Sequence, residues 1–159
     1  MSPVKAKPVS ERFWPKVDKS GDCWEWTASK TPYGYGHFNH SKKWVGAHRL
    51  SWQLTNGPIP DGMQVDHMCH NRGCVRPGHL RLVTPKQNVE NRSKDRDASR
   101  SGVRGVYWDK GNHKWRVSVC SNYKRYYGGI FADLADAEAS AIALRNRLFT
   151  HNDLDKRAA

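Results

Sequence analysis

Residues 65–88, VDHMCHNRGCVRPGHLRLVTPKQN, decide how this chain is read. Histidine, cysteine and aspartate crowd a stretch without a long apolar run, so residues 59–84 read as a loop-rich site rather than as core. Cys69, Cys74 and His79 are separated by four residues each. With Cys23, at the start of the first expected strand, they can close a tetrahedral zinc site of three cysteines and one histidine. His70 and His48 are rival fourth ligands. Four protein donors leave such an ion no vacant position, which makes it structural and moves any chemistry to its surroundings. Asp66-His67 stands immediately before the first loop cysteine. A neutral imidazole can take a proton from water, while the Asp66 carboxylate and the Asn88 amide are hard oxygen donors suited to Mg2+ or Mn2+. An Asp-His pair alone is a weak signal; joined to the cysteine spacing it is a much stronger one.

Working outward, residues 1–12 are polar and proline-containing and read as a loose arm, packing beginning at Phe13 and Trp14. CWEWTA, GYGHFN and KKWVG, between Cys23 and Val45, alternate apolar and polar residues and predict short antiparallel strands. AHRLSWQLTN, residues 47–56, predicts a helix with Leu50 and Leu54 on one face, stopped by Gly57-Pro58. Thr84-Pro85 opens a second helix, PKQNVENRS. Residues 91–102 hold no aliphatic side chain larger than alanine and read as a solvated linker. Beyond it, VRGVYWD, KWRVSVC and KRYYGGIF predict a three-stranded meander. DLADAEASAIALRNRLF follows as a helix capped by Asp133, with Leu134, Ala137, Ala141, Leu144 and Leu148 toward one face of the sheet. The fold class is therefore α+β, with domains at 12–92 and 101–150 and a linker at 93–100.

Lysine and arginine number 27 against 15 acidic residues, giving a net charge of +12 in 159 residues. That balance suits a partner rich in phosphate, DNA first and RNA as its rival. No apolar stretch approaches the roughly 20 residues of a membrane span, and the N-terminus lacks the apolar core of a secretory signal. The expectation is a cytoplasmic protein whose four cysteines serve a metal rather than disulfides.

The string VDHMCHNRGCVRPGHLRLVTPKQN, together with CWEW, the YGYG turn, AHRLSW and GPIPDG, resembles the HNH endonucleases. Its Asp-His pair, C-x4-C-x4-H and trailing asparagine also resemble the His-Cys box homing endonucleases; both groups are ββα-metal nucleases. The likeness covers about residues 12–92. It implies a zinc-stabilised ββα-metal fold in which His67 activates the attacking water and Asp66 and Asn88 bind the catalytic Mg2+ or Mn2+. It further implies that Cys23, Cys69, Cys74 and His79 hold structural zinc, and that cleavage leaves 5′-phosphate and 3′-hydroxyl ends. Arg76 stands where many relatives have asparagine, leaving open whether it grips phosphate or replaces a loop hydrogen bond. Residues 101–150 resemble the DNA-binding domain of the plant ethylene-response factors, through the GVRGV start, Lys114-Trp115, GGIF and the alanine-rich helix. That likeness makes Arg104, Tyr107, Trp108, Trp115, Arg116, Ser118, Lys124 and Arg125 candidates for contact with double-stranded DNA. Together the two resemblances imply a phage homing endonuclease at work in the bacterial cytoplasm. A monomer that nicks and a homodimer that cuts both strands stay open. The competing reading is a non-catalytic, zinc-stabilised DNA-binding protein.

Overall fold

The computed structural model describes residues 7–92 and 100–157. The chain divides into two compact units, Met1–Pro85 and Lys86–Ala159, built of small sheets and helices. The expected linker at 93–100 lies outside the described residues except for its last position.

The first unit begins earlier than expected. Instead of a loose arm to residue 12, Val9–Phe13 forms a helix, α1. Val9 and Phe13 are four apart and so share a face. That face carries Phe13 into a core of Trp26, Phe38, Ala47, Leu50 and Val75, with Val9 packed at its edge. The Phe13 ring lies 5.0 Å from Trp26 and 5.7 Å from Phe38. Strands β1 (Val17–Asp18) and β2 (Glu25–Trp26) pair antiparallel, as do β3 (His37–His40) and β4 (Lys43–Gly46). Ser41 and Lys42 turn the second hairpin with φ of 51° and 61°, the left-handed pair that a two-residue turn between right-twisted strands requires.

Helix α2 (Ala47–Asn56) has the bounds that the sequence predicts, ended by Gly57 at φ 88°. Its buried face differs: Ala47, Leu50 and Ser51 are covered, whereas Leu54 is exposed. The hydroxyl of Ser51 donates to the Val75 carbonyl and ties α2 to the cysteine loop. The loop-rich stretch 59–84 is paired at both ends, β5 (Gln64–His67) lying antiparallel to β6 (Leu80–Val83). Between them runs the cysteine loop, closing with a 3-10 turn at Pro77–His79.

Gly36 is buried between Trp26 and Ala47, and a Cβ there would stand 2.5 Å from the Trp26 indole and 3.0 Å from the Ala47 methyl. Gly36→Ala is expected to cost about 1–3 kcal/mol through overpacking. A thermal melt reads this directly; an unchanged midpoint would show that this core yields.

Helix α3 (Pro85–Glu90), whose Lys86 begins the second unit, ends before the Asn91 and Arg92 that the predicted PKQNVENRS includes, and Ser93 lies outside the described residues. Strands β7 (Val106–Asp109), β8 (Lys114–Ser121) and β9 (Lys124–Phe131) form the expected meander. Helix α4 (Leu134–Leu148) is capped by Asp133, whose carboxylate accepts from the Ala135 and Asp136 amides. Val106, Val117 and Val119 meet Ala137, Ala141, Leu144 and Phe149 in a buried cluster, with Leu134 and Leu148 packed at its edge. Alanines on the helix and Gly128 on the sheet let the two surfaces approach closely; a Cβ on Gly128 would lie 3.0 Å from the Ser140 hydroxyl of α4. Beyond α4, the short helix α5 (Asp153–Arg157) brings Asp155 to the buried Arg145 guanidinium. No helix among the described residues is long and apolar enough to cross a membrane.

Candidate active site and metal centre

The cysteine loop is strapped to β2 before any metal is considered. The Trp26 amide donates to the Gly73 carbonyl at 2.9 Å and the Val75 amide to the Trp24 carbonyl at 2.8 Å. These bonds carry Cys74 beside the turn that holds Cys23. The result is a cluster of Cys23, Cys69, Cys74 and His79 whose ligand atoms all lie within 4.8 Å of one another. His79 Nδ1 is 3.6 Å from the Cys23 sulfur and 3.7 Å from that of Cys74. A tetrahedral zinc with ordinary bond lengths needs sulfur–nitrogen edges of roughly 3.5 Å, so the donor set fits the ion. His48 and His70, the rival fourth ligands, lie outside the cluster.

Burial raises the Cys69 thiol and pushes Cys74 up to about 12, with Cys23 adding to both shifts and Cys69 to that of Cys74. Crowded thiols without a cation resist ionisation; a dication at their centre reverses that preference and draws them out as thiolates. Arg76 braces the same loop. Its guanidinium reaches the Asp22 carboxylate at 2.6 Å and the Asp22 carbonyl at 2.7 Å, and its amide lies 3.4 Å from the Cys74 sulfur. Asp22 also stands 3.6 Å from His79 Nε2. Arg76 thus has a loop-bracing hydrogen-bond role.

Asp66 and His67 are neighbours on β5, and alternation along a strand sends their side chains to opposite faces. Asp66 faces its cross-strand partner Arg81, which brings Nε and Nη2 to Oδ2 at 3.2 and 3.0 Å. His67 turns inward and is 6% exposed. Its Nε2 lies 3.0 Å from the Cys74 carbonyl. A carbonyl only accepts, so Nε2 carries the hydrogen, and in the neutral ring Nδ1 is left with its lone pair. Burial lowers the His67 pKa below the usual 6.5, more than offsetting the opposing effects of the Cys74 carbonyl and Asp66. The ring is therefore neutral at neutral pH. Through one carbonyl, the metal loop fixes both the tautomer and the orientation of this histidine.

Two aromatic rings stand beside His67, one of which, His48, the sequence offered only as a rival zinc ligand. Tyr35 lies 6.0 Å away and His48, from the first turn of α2, 4.8 Å. Burial, with His67 next in effect, lowers His48 to about 3. Asn88 lies on α3, within the second unit.

In the second unit the strand register sorts the remaining candidates. Tyr107, Arg116, Ser118 and Arg125, with Cys120 and Tyr127, line an open hollow of about 270 Å³ on the face away from α4. Arg116 also lies 3.7 Å from Asp109. Trp108 and Trp115 fall on the other face, edge to face at 4.8 Å, and Trp115 packs on the helix-side core. Lys124 is exposed beside the β8–β9 turn, on the helix-side alternation. Arg104 turns elsewhere, donating to the carbonyls of Val89, Glu90 and Arg92 and stacking over Phe149. Tyr127, opposite Ser118, and Ile130, opposite Arg116, share this face without having been candidates; the bulge between Val117 and Ser118 breaks the alternation from Arg125 and Tyr127 to Ile130.

The sequence pattern of the HNH endonuclease family matches residues 45–90, from β4 to the end of α3. Protein 7.7 of Escherichia phage T7 is 43% identical over 70 residues, covering 44% of this chain and 54% of that protein. An uncharacterized gene 5.3 protein of Enterobacteria phage T3 is 36% identical over 69 residues, 38% of this chain and 68% of that protein. An uncharacterized HNH endonuclease of Acanthamoeba polyphaga mimivirus is 31% identical over 115 residues, 72% of this chain and 54% of its own length. The chain thus spans about half the length of the first and last of these relatives. No solved structure matches it. With the metal cluster and the carbonyl-bonded His67 inside or beside the matched segment, the chain carries an HNH endonuclease domain at residues 45–90.

Proposed function

We propose that the chain is a metal-dependent endonuclease that hydrolyses phosphodiester bonds of double-stranded DNA. In this reading residues 12–92 form a zinc-stabilised ββα-metal nuclease domain and residues 101–150 a DNA-binding domain of the ethylene-response-factor type. The observation that carries it is the state of His67: neutral, its Nε2 hydrogen given to the Cys74 carbonyl, its Nδ1 lone pair available as a base. Water attacks phosphorus as His67 Nδ1 takes its proton; the bond from phosphorus to the 3′ oxygen breaks and that oxygen leaves as a hydroxyl after taking a proton from solvent. The cut leaves a 5′-phosphate. Asp66 and Asn88 are oxygen donors of the kind a hard cation takes; each would offer an oxygen ligand to Mg2+ or Mn2+, which when bound would supply charge neutralisation at the phosphate and leaving oxygen. The phage relatives support a phage setting; a homing role belongs to the same proposal. Supercoiled plasmid incubated with the zinc-loaded chain and Mg2+ should convert to nicked or linear form, and a chelator should stop it. Plasmid left intact with both Mg2+ and Mn2+ would overturn the assignment.

The sheet face that carries Tyr107, Arg116, Ser118, Arg125 and Tyr127 is the DNA-contacting surface in this reading, its arginines gripping phosphates and its tyrosines packing on the duplex. Arg104, Trp108 and Trp115 then support the fold beneath it. Binding through phosphates releases counterions, so affinity should fall steeply with salt. Arg116→Ala with Arg125→Ala should lower the log–log salt slope by about 2 in fluorescence anisotropy. An unchanged slope would remove these two residues from the phosphate contacts.

A further inference from the structure

We propose that His48 is a further active-site residue, whose imidazole N–H binds a non-bridging oxygen of the phosphate that His67 serves. This rests on the reading of His67 as the base. His48 comes from α2, an element distinct from the β5–β6 hairpin and its loop, yet its ring lies 4.8 Å from that of His67 at an interplanar angle of 48°. Tyr35 closes the group, 5.7 Å from His48 and 6.0 Å from His67. The backbone makes room for the ring: a Cβ on Gly46 would stand 3.0 Å from its Cε1 and 3.4 Å from its Nδ1.

His48 Nδ1 is buried and has no hydrogen-bond partner among the described residues. A buried polar atom without a partner carries its desolvation penalty uncompensated, and a phenyl ring would fill the same space without it. Such an atom beside a reaction centre calls for a partner that arrives with the substrate. A neutral imidazole offers one donor and one acceptor, whereas non-bridging phosphate oxygens only accept. Whichever nitrogen bears the hydrogen, the ring can turn a donor to phosphate only through that N–H. The ring spacing is short enough for one phosphodiester and its attacking water to meet both histidines. A donor aimed at a phosphoryl oxygen acts where charge builds during attack, so its loss should fall on the rate of the bound complex more than on affinity.

His48→Phe keeps the ring and deletes its nitrogens. Single-turnover cleavage of supercoiled plasmid with Mg2+ should slow at least about tenfold, with zinc content and melting midpoint retained. His48→Asn, which restores an N–H near Nδ1, should recover part of the rate. His48→Phe at wild-type rate beside an inactive His67→Ala overturns the role of His48 and leaves the base in place. Cleavage by His67→Ala at wild-type rate overturns both. Should phenylalanine disturb the fold, the near-isosteric pair His48→Asn and His48→Leu poses the same question: a faster Asn variant supports the contact, and equal rates overturn it.

Discussion

Cys74→Ser is expected to abolish stable folding of the first unit at ordinary temperatures, and a strong chelator should do the same to the unaltered chain. Cys74 is fully buried, and its sulfur sits in a cluster whose donors tie β2, the cysteine loop and the start of β6 together. The apolar core beside it is small, six buried side chains from Phe13 to Val75. Small structural zinc sites contribute about 10–16 kcal/mol of apparent binding energy, as much as a whole domain commonly has in net stability. Losing one thiolate removes a large share of that. Unfolding followed by circular dichroism should show the corresponding transition shifted down by more than about 10 °C, or lost. Cys120→Ser is the control: that cysteine is exposed on the sheet of the second unit and lies outside the cluster, so its melt should match the wild type. A Cys74→Ser melt equal to that of wild type would remove zinc from the account.

His67→Ala should reduce cleavage by about 10²–10⁴-fold, the range that a positioned general base contributes. DNA affinity should change little, because binding is assigned to the sheet face of the second unit. The substitution also leaves the buried Cys74 carbonyl without its 3.0 Å donor, which costs about 1–3 kcal/mol of stability. His67→Gln separates the two effects: its amide nitrogen reaches the Nε2 position and can donate toward that carbonyl but cannot take the proton, so this variant should be more stable than His67→Ala and still inactive. The pH dependence follows from the direction of the shift. A base is active unprotonated, and burial lowers His67 below 6.5, so cleavage should hold at neutral pH and fall only on acidification below that value. A rate that climbs through pH 7 with the profile of an ordinary exposed histidine would contradict the buried, neutral base.

Much of this was legible in the sequence where the signal is local. Helix α2 could be bounded because Gly57 stops it, and α4 because Asp133 caps it. The four sulfur and nitrogen donors were legible because metal-ligand spacing survives any fold that closes the loop. What stayed hidden depends on contacts between distant segments. His48 meets His67 only because α2 packs by the hairpin, and in sequence it offered nothing beyond a rival zinc ligand. Arg76 found Asp22, 54 residues away, and so braces the loop. The exposed side of the meander turns in part on one bulge at Val117/Ser118, which brings Ile130 rather than Gly129 opposite Arg116 and out to solvent. Helix α1 is short and polar, and it folds because Phe13 reaches the core rather than because its residues favour helix.

The chemistry of the cut ends tests the nuclease most directly. Duplex DNA digested by the zinc-loaded chain with Mg2+ should carry 5′-phosphate and 3′-hydroxyl termini that DNA ligase reseals without prior treatment. Ends that need a phosphatase or kinase before resealing, or no cut at all, would contradict a His67-activated water as the attacking group.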